Sequence, residues 1–589
     1  EAAHERLSKR LALAVFSSDA LSSVAYATEE ILLVLTLAGT AMVGYSIPLS
    51  LSIIGLLIIL TMSYRQIIFE YPEGGGAYIV GKSNLGEWSG LVAAAALMID
   101  YVLTVAVSVA AGIAALTSAV PDLLPHREGL CVAAILLVTV VNLRGVRESG
   151  QFFAVPTYIF IGTLAAMLGV GAIQILLGVV SRIEPLPTIA AAEPLTLFLL
   201  LRAFSSGCTA LTGVEVISNG VSAFKKPEPK NAALTMIGMA VILGTLFIGI
   251  SGMAYYFGIV PKEDETVVSQ IARATFGTGP LYYLVQASTM IILILAANSS
   301  FNGFPRLASI LARDSYMPHQ MSMMGDRLVF SNGVIILGVF SCLLIILFNG
   351  DTHALIPLYA VGVFLSFTIS QAGMVKRWLV KKGPHWEKKL LVNGIGAVTT
   401  AIATVIIAST KFTHGAWIVI VLIPLLISFF RAIHSHYKAV AEQVALSRGH
   451  RPPMPRRNIV VLPIGGVNRA VIRAVDYARS RSGDIRAVLV DVDPEETARV
   501  EIQWAQWGCG VPLTVLPSPY RSVLSSLLDY LEQVLQKDQE CWVTVVIPEI
   551  LPARWWQNIL HNQRAFMLKG ALLFKDRVIL TDVPYHLTR

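Results

Sequence analysis

The sequence predicts an all-α membrane protein of twelve transmembrane helices, followed by a soluble α/β domain. Three observations carry that expectation. Of 589 residues, 55% are hydrophobic and only 14% charged, whereas soluble chains carry about 25% charged residues. Apolar runs long enough to cross about 30 Å of hydrocarbon recur up to roughly residue 430. Beyond residue 458, short apolar runs alternate with amphipathic ones.

The runs place spans 1 to 6 at residues 11–37, 47–68, 88–119, 130–147, 153–180 and 195–222. Spans 7 to 12 follow at 232–258, 280–311, 331–349, 353–376, 390–410 and 415–431. Lys and Arg accumulate on cytoplasmic loops. Here they crowd the N-terminal segment and the loops after even-numbered spans, as in Lys9, Arg10, Lys225, Lys226, Lys230, Lys381, Lys382, Lys388 and Lys389. The opposite loops hold only Arg127, Arg182, Lys262, Arg273 and Lys411. Both termini are therefore expected in the cytoplasm of a cell whose inner (plasma) membrane the chain crosses many times. This asymmetry accounts for the net charge of +7, so no nucleic-acid partner is inferred. Cys131, Cys208, Cys342, Cys509 and Cys541 have no paired or metal-binding spacing and read as reduced bystanders. No cleavable signal peptide is visible, because the first span lacks a small-residue cleavage site after a short apolar core.

The domains follow from the change in composition: a transmembrane unit over 1–435, a linker over 436–457, and an α/β domain over 458–589. The linker holds the basic, proline-rich "SRGHRPPMPRRN" (Ser447–Asn458). After it, "IVVLPI" (Ile459–Ile464) and "IRAVLVDVD" (Ile485–Asp493) read as strands. The helical "GGVNRAVIRAVDYARS" and "PEETARVEIQWAQWG" follow them, and "PLTVLPS", "YRSVLSSLLDYLEQVL" and "CWVTVVIPE" continue the alternation. Strands alternating with helices indicate a parallel sheet. No Ser–His–Asp or metal constellation appears in this domain, so an enzyme is not expected.

Span 1 contains "FSSDALSSVAYATEE" (Phe16–Glu30), with three carboxylates and six hydroxyls inside a hydrophobic run. Span 6 echoes it with "FSSGCTALTGVEVISN" (Phe204–Asn219). Interrupted segments at matching positions of two halves point to a transport site between inverted repeats. A break in each span would free backbone carbonyls and amides near mid-depth. Asp19 lies in the first segment and Glu215 in the second. Each costs roughly 2.5–3.5 kcal/mol to insert, which marks a functional residue. In span 3, "MIDYVLTVAVS" sets Asp100, Thr104 and Ser108 at intervals of four on one helix face, with Tyr101 beside them. Span 10 adds Tyr359 in "PLYAVGV". Glu29 and Glu30 read as a structural pair with Arg202 as partner. For single hydroxyls such as Ser108 and Thr212, back-bonding to carbonyls or helix-to-helix contact is the plainer role. Together, these oxygens suit a hard, dehydrated cation.

These segments resemble the amino acid–polyamine–organocation (APC) superfamily, and more closely its KimA-like branch of potassium importers within the KUP family. The resemblance rests on the three stretches above, on "EYPEGGGAYIV" (Glu70–Val80) and on "NSSFNGFPRLASILARDSYMP" (Asn298–Pro318). It implies a LeuT-type 5+5 inverted-repeat fold and proton-coupled potassium uptake. The implied potassium-site residues are Asp19, Tyr26, Asp100, Tyr101, Thr104, Ser108, Thr212, Glu215 and Tyr359. Asp19, Thr104 and Thr212 would hold the ion, while Asp100 and Glu215 are the candidate proton carriers. The resemblance further implies a universal-stress-protein-like cytoplasmic domain that forms a homodimer and binds cyclic di-AMP as an inhibitor. In "PIGGVNR" and "PSPYRS", Gly465, Gly466, Asn468 and Arg521 are the candidate nucleotide contacts, set against a purely architectural role. The alternative function is a proton-coupled amino-acid permease. Its substrate carboxylate would be repelled by a fixed charge at Asp19.

Overall fold

The computed structural model describes residues 6–74, 76–144, 150–178, 191–325, 330–445, 457–518, 522–538, 540–554, 557 and 563–587. The chain divides into a helical unit, Glu1–Val444, and a second compact unit, Ala445–Arg589. The helical unit contains α1 (Lys9–Ser22), α2 (Val24–Leu35), α3 (Ser46–Glu70), α4 (Ala77–Leu85), α5 (Glu87–Ala119) and α6 (Arg127–Leu143). It continues with α7 (Gly150–Leu176), α8 (Leu197–Gly207), α9 (Val216–Asn219), α10 (Glu228–Phe257) and α11 (Val267–Phe276). Its last members are α12 (Pro280–Arg313), α13 (Ser331–Leu347), α14 (Thr352–Val380), α15 (Trp386–Thr410) and α16 (Ala416–Val444).

Eleven segments among the described residues are long and apolar enough to cross a membrane, with α1–α2 and α8–α9 each counted as one. The twelfth expected span falls on α13, a shorter apolar helix. Its 17 residues rise only about 25 Å. Helix ends follow local chemistry. Asp351 caps α14 by accepting the His353 amide at 2.9 Å, and α10 stops where Gly258 adopts a left-handed φ of 63°. Helix α16 continues past residue 435, where composition placed the linker, because Tyr316 stacks on His434 and His319 on Tyr437.

Burial separates the spans by role. The α1–α2 segment is 89% buried and α5 83%, with α8–α9 and α14 both at 67%. By contrast, α6 is 17% buried and the α7 segment 22%, the pattern of helices facing lipid. The four most enclosed segments are those in which the sequence places its oxygen-rich residues. Helix α5 packs against α12 and α14, and α2 against α8.

The second unit is a five-stranded parallel sheet: β1 (Arg457–Ile464), β2 (Asp484–Asp491), β3 (Leu513–Pro517), β4 (Cys541–Leu551) and β5 (Val578–His586), in the order β3-β2-β1-β4-β5. Its helices are α17 (Arg469–Arg479), α18 (Pro494–Trp507), α19 (Val523–Lys537) and α20 (Gln563–Leu572). Side chains alternate across the sheet. Val460, Leu462 and Ile464 meet α17 and α18 on one face, while Ile459 and Val461 join α19 on the other. Burying both faces explains why these strands read as continuous apolar runs.

At the amino end of β2, Asp484 accepts hydrogen bonds from Arg486 at 3.1 Å and from Arg457 at 2.6 Å. The Arg486 guanidinium, then that of Arg457, holds the Asp484 carboxyl below its usual range. The stabilisation it contributes is therefore present above the ordinary carboxylate pKa of about 3.9. It is lost as pH falls through the lower folded value. Asp484→Asn should weaken the unit at neutral pH and flatten its loss of stability below about pH 4, read as protease resistance of β1–β4 across pH.

Candidate functional site

The α1–α2 segment is interrupted at one residue, Ser23, which keeps helical dihedrals of φ −63° and ψ −22°. The Tyr26 and Ala27 amides both donate to the Ser23 carbonyl, at 3.2 and 3.0 Å. The break expected to free carbonyls and amides in span 1 is here confined to one residue. The serines explain the difference. Ser22 donates to the Asp19 carbonyl at 2.8 Å and Ser23 to the Ala20 carbonyl at 2.6 Å. The carbonyls are thus taken by hydroxyls one turn away.

Span 6 does come apart. Helix α8 ends at Gly207, a 3₁₀ turn covers Cys208–Leu211, and Thr212 is extended at ψ 147°. Gly213 then turns back with φ +78° before the four-residue α9. A Cβ on Gly213 would lie 2.8 Å from the Asp19 carboxylate carbon and 2.9 Å from the Ala20 amide nitrogen. Only glycine fits both that dihedral and that approach. Asp19 is therefore seated directly on the broken part of span 6. Ser23 also donates to the Ala210 carbonyl at 3.1 Å, so one hydroxyl joins the two interruptions. The Tyr26 hydroxyl lies beside the Thr212 side chain, and Thr212 donates its proton to the Thr209 carbonyl at 2.9 Å.

Helix α5 supplies the opposite wall. Asp100, Thr104 and Ser108 are all buried on the continuous helix, and Thr104 donates to the Tyr359 hydroxyl of α14 at 3.0 Å. The charges acting on Asp100 are those of Glu215 and Asp19, and that acting on Asp19 is Glu215. Asp100 Oδ1 and Glu215 Oε2 are buried without a hydrogen-bond partner. Tyr101 is set apart, with its ring against Gly303 of α12. No group of three His, Cys, Asp or Glu side chains draws together as a metal-chelating cluster among the described residues.

Residues 10–430 match the amino acid permease family, and residues 456–585 match the KimA potassium transporter C-terminal domain. The chain is 45% identical to the potassium transporter KimA of Bacillus subtilis (strain 168), over 99% of this chain and 96% of that protein. The chain belongs to the KimA family. It is also 23% identical to the human Asc-type amino acid transporter 1, over 56% of this chain and 64% of that one. Among solved structures, a sodium-coupled sialic acid symporter matches with a TM-score of 0.42 and 15% identity, covering 69% of this chain and 90% of that one.

The motifs this KimA-family chain shares with permeases tie helices together at the end where α1 begins. Glu70 pairs with Arg377 at 2.6 Å, while Tyr78 and Lys82 both reach Asp314, at 2.5 and 2.6 Å. Leu7 bridges to the segment after α9, its amide donating to the Ala223 carbonyl at 2.8 Å. At the other end the expected Glu29/Glu30–Arg202 pairing is corrected. Arg202 reaches Glu193 at 3.8 Å and His414 at 2.9 Å, and His353 takes both glutamates. The sequence reading missed His353, which is the second residue of α14 and resembles a loop residue. It also missed Gly213, whose signal was a Thr-Gly pair inside a span.

In the α/β unit, Gly465 and Gly466 follow the carboxyl end of β1, where the strand order reverses between β1 and β4. In open parallel sheets ligands bind at such a switch point. Asn468 caps α17 by accepting the Val471 amide at 3.0 Å, so its oxygen is already engaged. Arg521 lies outside the described residues.

The glycines separate by function. Gly213→Ala should cost roughly 1–3 kcal/mol, read as a lower thermal midpoint in detergent. A Cβ at Gly466 meets nothing within 4 Å, so Gly466→Ala should leave that midpoint unchanged or slightly higher.

Proposed function

We propose that this chain takes up potassium as a potassium–proton symporter of the inner (plasma) membrane, with both termini cytoplasmic and a LeuT-type 5+5 arrangement of ten core helices. The observation that carries the reading is the set of three buried carboxylates, Asp19, Asp100 and Glu215, acted on by one another's negative charge. A cation relieves that repulsion, and a proton on one carboxyl relieves the remainder.

The hydroxyls favour the same cargo. A hydroxyl has one proton and two lone pairs. Thr104 and Thr212 spend their protons on Tyr359 and the Thr209 carbonyl, which leaves lone pairs for an ion beside Asp19. Tyr26, Ser108 and Tyr359 supply further oxygen. Without a tight cluster of carboxylates, the arrangement suits a weakly held monovalent ion rather than a chelated divalent one. Asp100 and Glu215, each with an unpartnered oxygen, are the proton carriers. Transport proceeds by alternating access as a bundle containing spans 1 and 6 rocks about the site.

The second reading, a proton-coupled amino-acid permease, has the permease-family match behind it. It meets the obstacle of Asp19, a fixed negative charge seated where a substrate carboxylate would dock. For the α/β unit we infer a homodimer of universal-stress-protein-like domains inhibited by cyclic di-AMP. Gly465 and Gly466 at the sheet's switch point, with Arg521, would meet the nucleotide.

Rubidium flux into proteoliposomes tests the proposal. Potassium should compete with labelled rubidium and amino acids should not; the reverse result installs the permease reading. Asp19→Asn should abolish the flux. With pH and voltage gradients imposed separately, Glu215→Gln should remove the response to the pH gradient.

A further inference from the structure

At the end of the helical unit where α2 terminates, charged groups converge that the transport site does not use. Glu29 and Glu30 are almost fully buried on α2, at 3% and 5% exposure. His353 Nδ1 lies 2.6 Å from Glu30 Oε1, and His353 Nε2 lies 3.7 Å from Glu29 Oε1. Glu29 Oε2 also accepts the Val267 amide of α11 at 3.2 Å. A single imidazole therefore stands between two carboxylates, with one ring nitrogen facing each.

Neutral imidazole carries one N–H, and its other nitrogen is an acceptor that repels a carboxylate. Only the imidazolium donates from both nitrogens. Resting on the alternating-access reading above, we propose that the outer end is closed by a proton-bearing latch. In it, imidazolium His353 on α14 holds Glu29 and Glu30 on α2, and loss of that proton accompanies outward opening.

The surrounding charges leave this role to His353. Asp351, on the same helix end, caps the His353 amide and faces Arg127 of α6 at 3.9 Å. Glu265, before α11, is engaged by Arg273 at 3.0 Å; Lys262, Glu263 and Asp264 of that loop line the same cavity. Between α15 and α16, the buried Lys411 faces Glu30, with Cys208 of the span-6 break beside it. Nearby, His414 is occupied by Arg202 of α8. Among the described residues, His353 alone lies within ion-pair distance of both buried carboxylates. Its side chain is 39% exposed, toward a cavity of about 40 Å³ that Ala114, Ser118 and Glu29 also line. A proton from the outer solution reaches His353 without crossing the closed layer.

The sign is definite. A proton that stabilises the closed end makes closure strongest at low external pH, and opening grows as pH rises through the latch's titration. Full-length protein with Ala114→Cys, in right-side-out vesicles, reads this through labelling by a membrane-impermeant maleimide. Rates are corrected for thiol ionisation with denatured protein and for the unsubstituted chain's background. Labelling should quicken at least about fivefold between about pH 6 and about pH 8.5. Adding His353→Gln should make it fast at every pH. With Glu30→Gln, neutral imidazole satisfies the one remaining carboxylate, so the pH dependence should also vanish. This second variant decides the matter where the first does not fold. A parent rate indifferent to pH, or variants that keep the parent's profile, overturns the latch. Labelling assumes no cargo, so a failed potassium assignment leaves this result intact.

Discussion

Three negative groups buried among helices, with one another as the nearest influential charges, set the terms for the rest of the helical unit. A carboxylate removed from water without a counter-charge is strongly destabilising. Asp19, Asp100 and Glu215 nevertheless sit in three of the four most enclosed segments, α1–α2, α5 and α8–α9. The surrounding helices bring hydroxyl oxygens to them, from Tyr26, Thr104, Thr212 and Tyr359.

The seam between spans 1 and 6 is held close by small residues and short hydroxyls. Gly213 lets Asp19 touch the broken backbone, and a Cβ on Gly220 would strike the Phe16 ring at 2.5 Å. Phe16 in turn stacks on Phe224 at 5.5 Å, and Ser23 joins both interruptions through its hydroxyl. Helix contact in lipid depends on close packing of this kind, since the acyl chains are as apolar as leucine. The two breaks are unequal. Span 1 is interrupted at one serine, while span 6 leaves the α-helix from Cys208 through Glu215. Adaptability is thus concentrated in span 6, beside Glu215.

Each end of the helical unit is fastened by chemistry of its own. Around α4 the fastening is by the Arg377–Glu70 and Lys82–Asp314 ion pairs, reinforced by the Arg377 guanidinium 4.7 Å over the Tyr71 ring. The opposite end relies on the His353 imidazole set between Glu29 and Glu30.

Much of this was legible in the sequence. Length and hydropathy define the spans, and their Lys and Arg bias sets an expected orientation. The four-residue spacing from Asp100 to Ser108 fixes one helix face, because helical periodicity is local. The alternation after residue 458 gives a parallel sheet for the same reason. The tertiary structure alone decided who meets whom. It took Glu29 and Glu30 from Arg202 and gave them to His353, more than three hundred residues away, and it placed Gly213 under Asp19. It also narrowed the span-1 break, because serine hydroxyls satisfied carbonyls that the pattern had left free. Periodicity and composition propagate along the chain and can be read there, whereas the partner of a buried polar group is fixed by packing between helices distant in sequence.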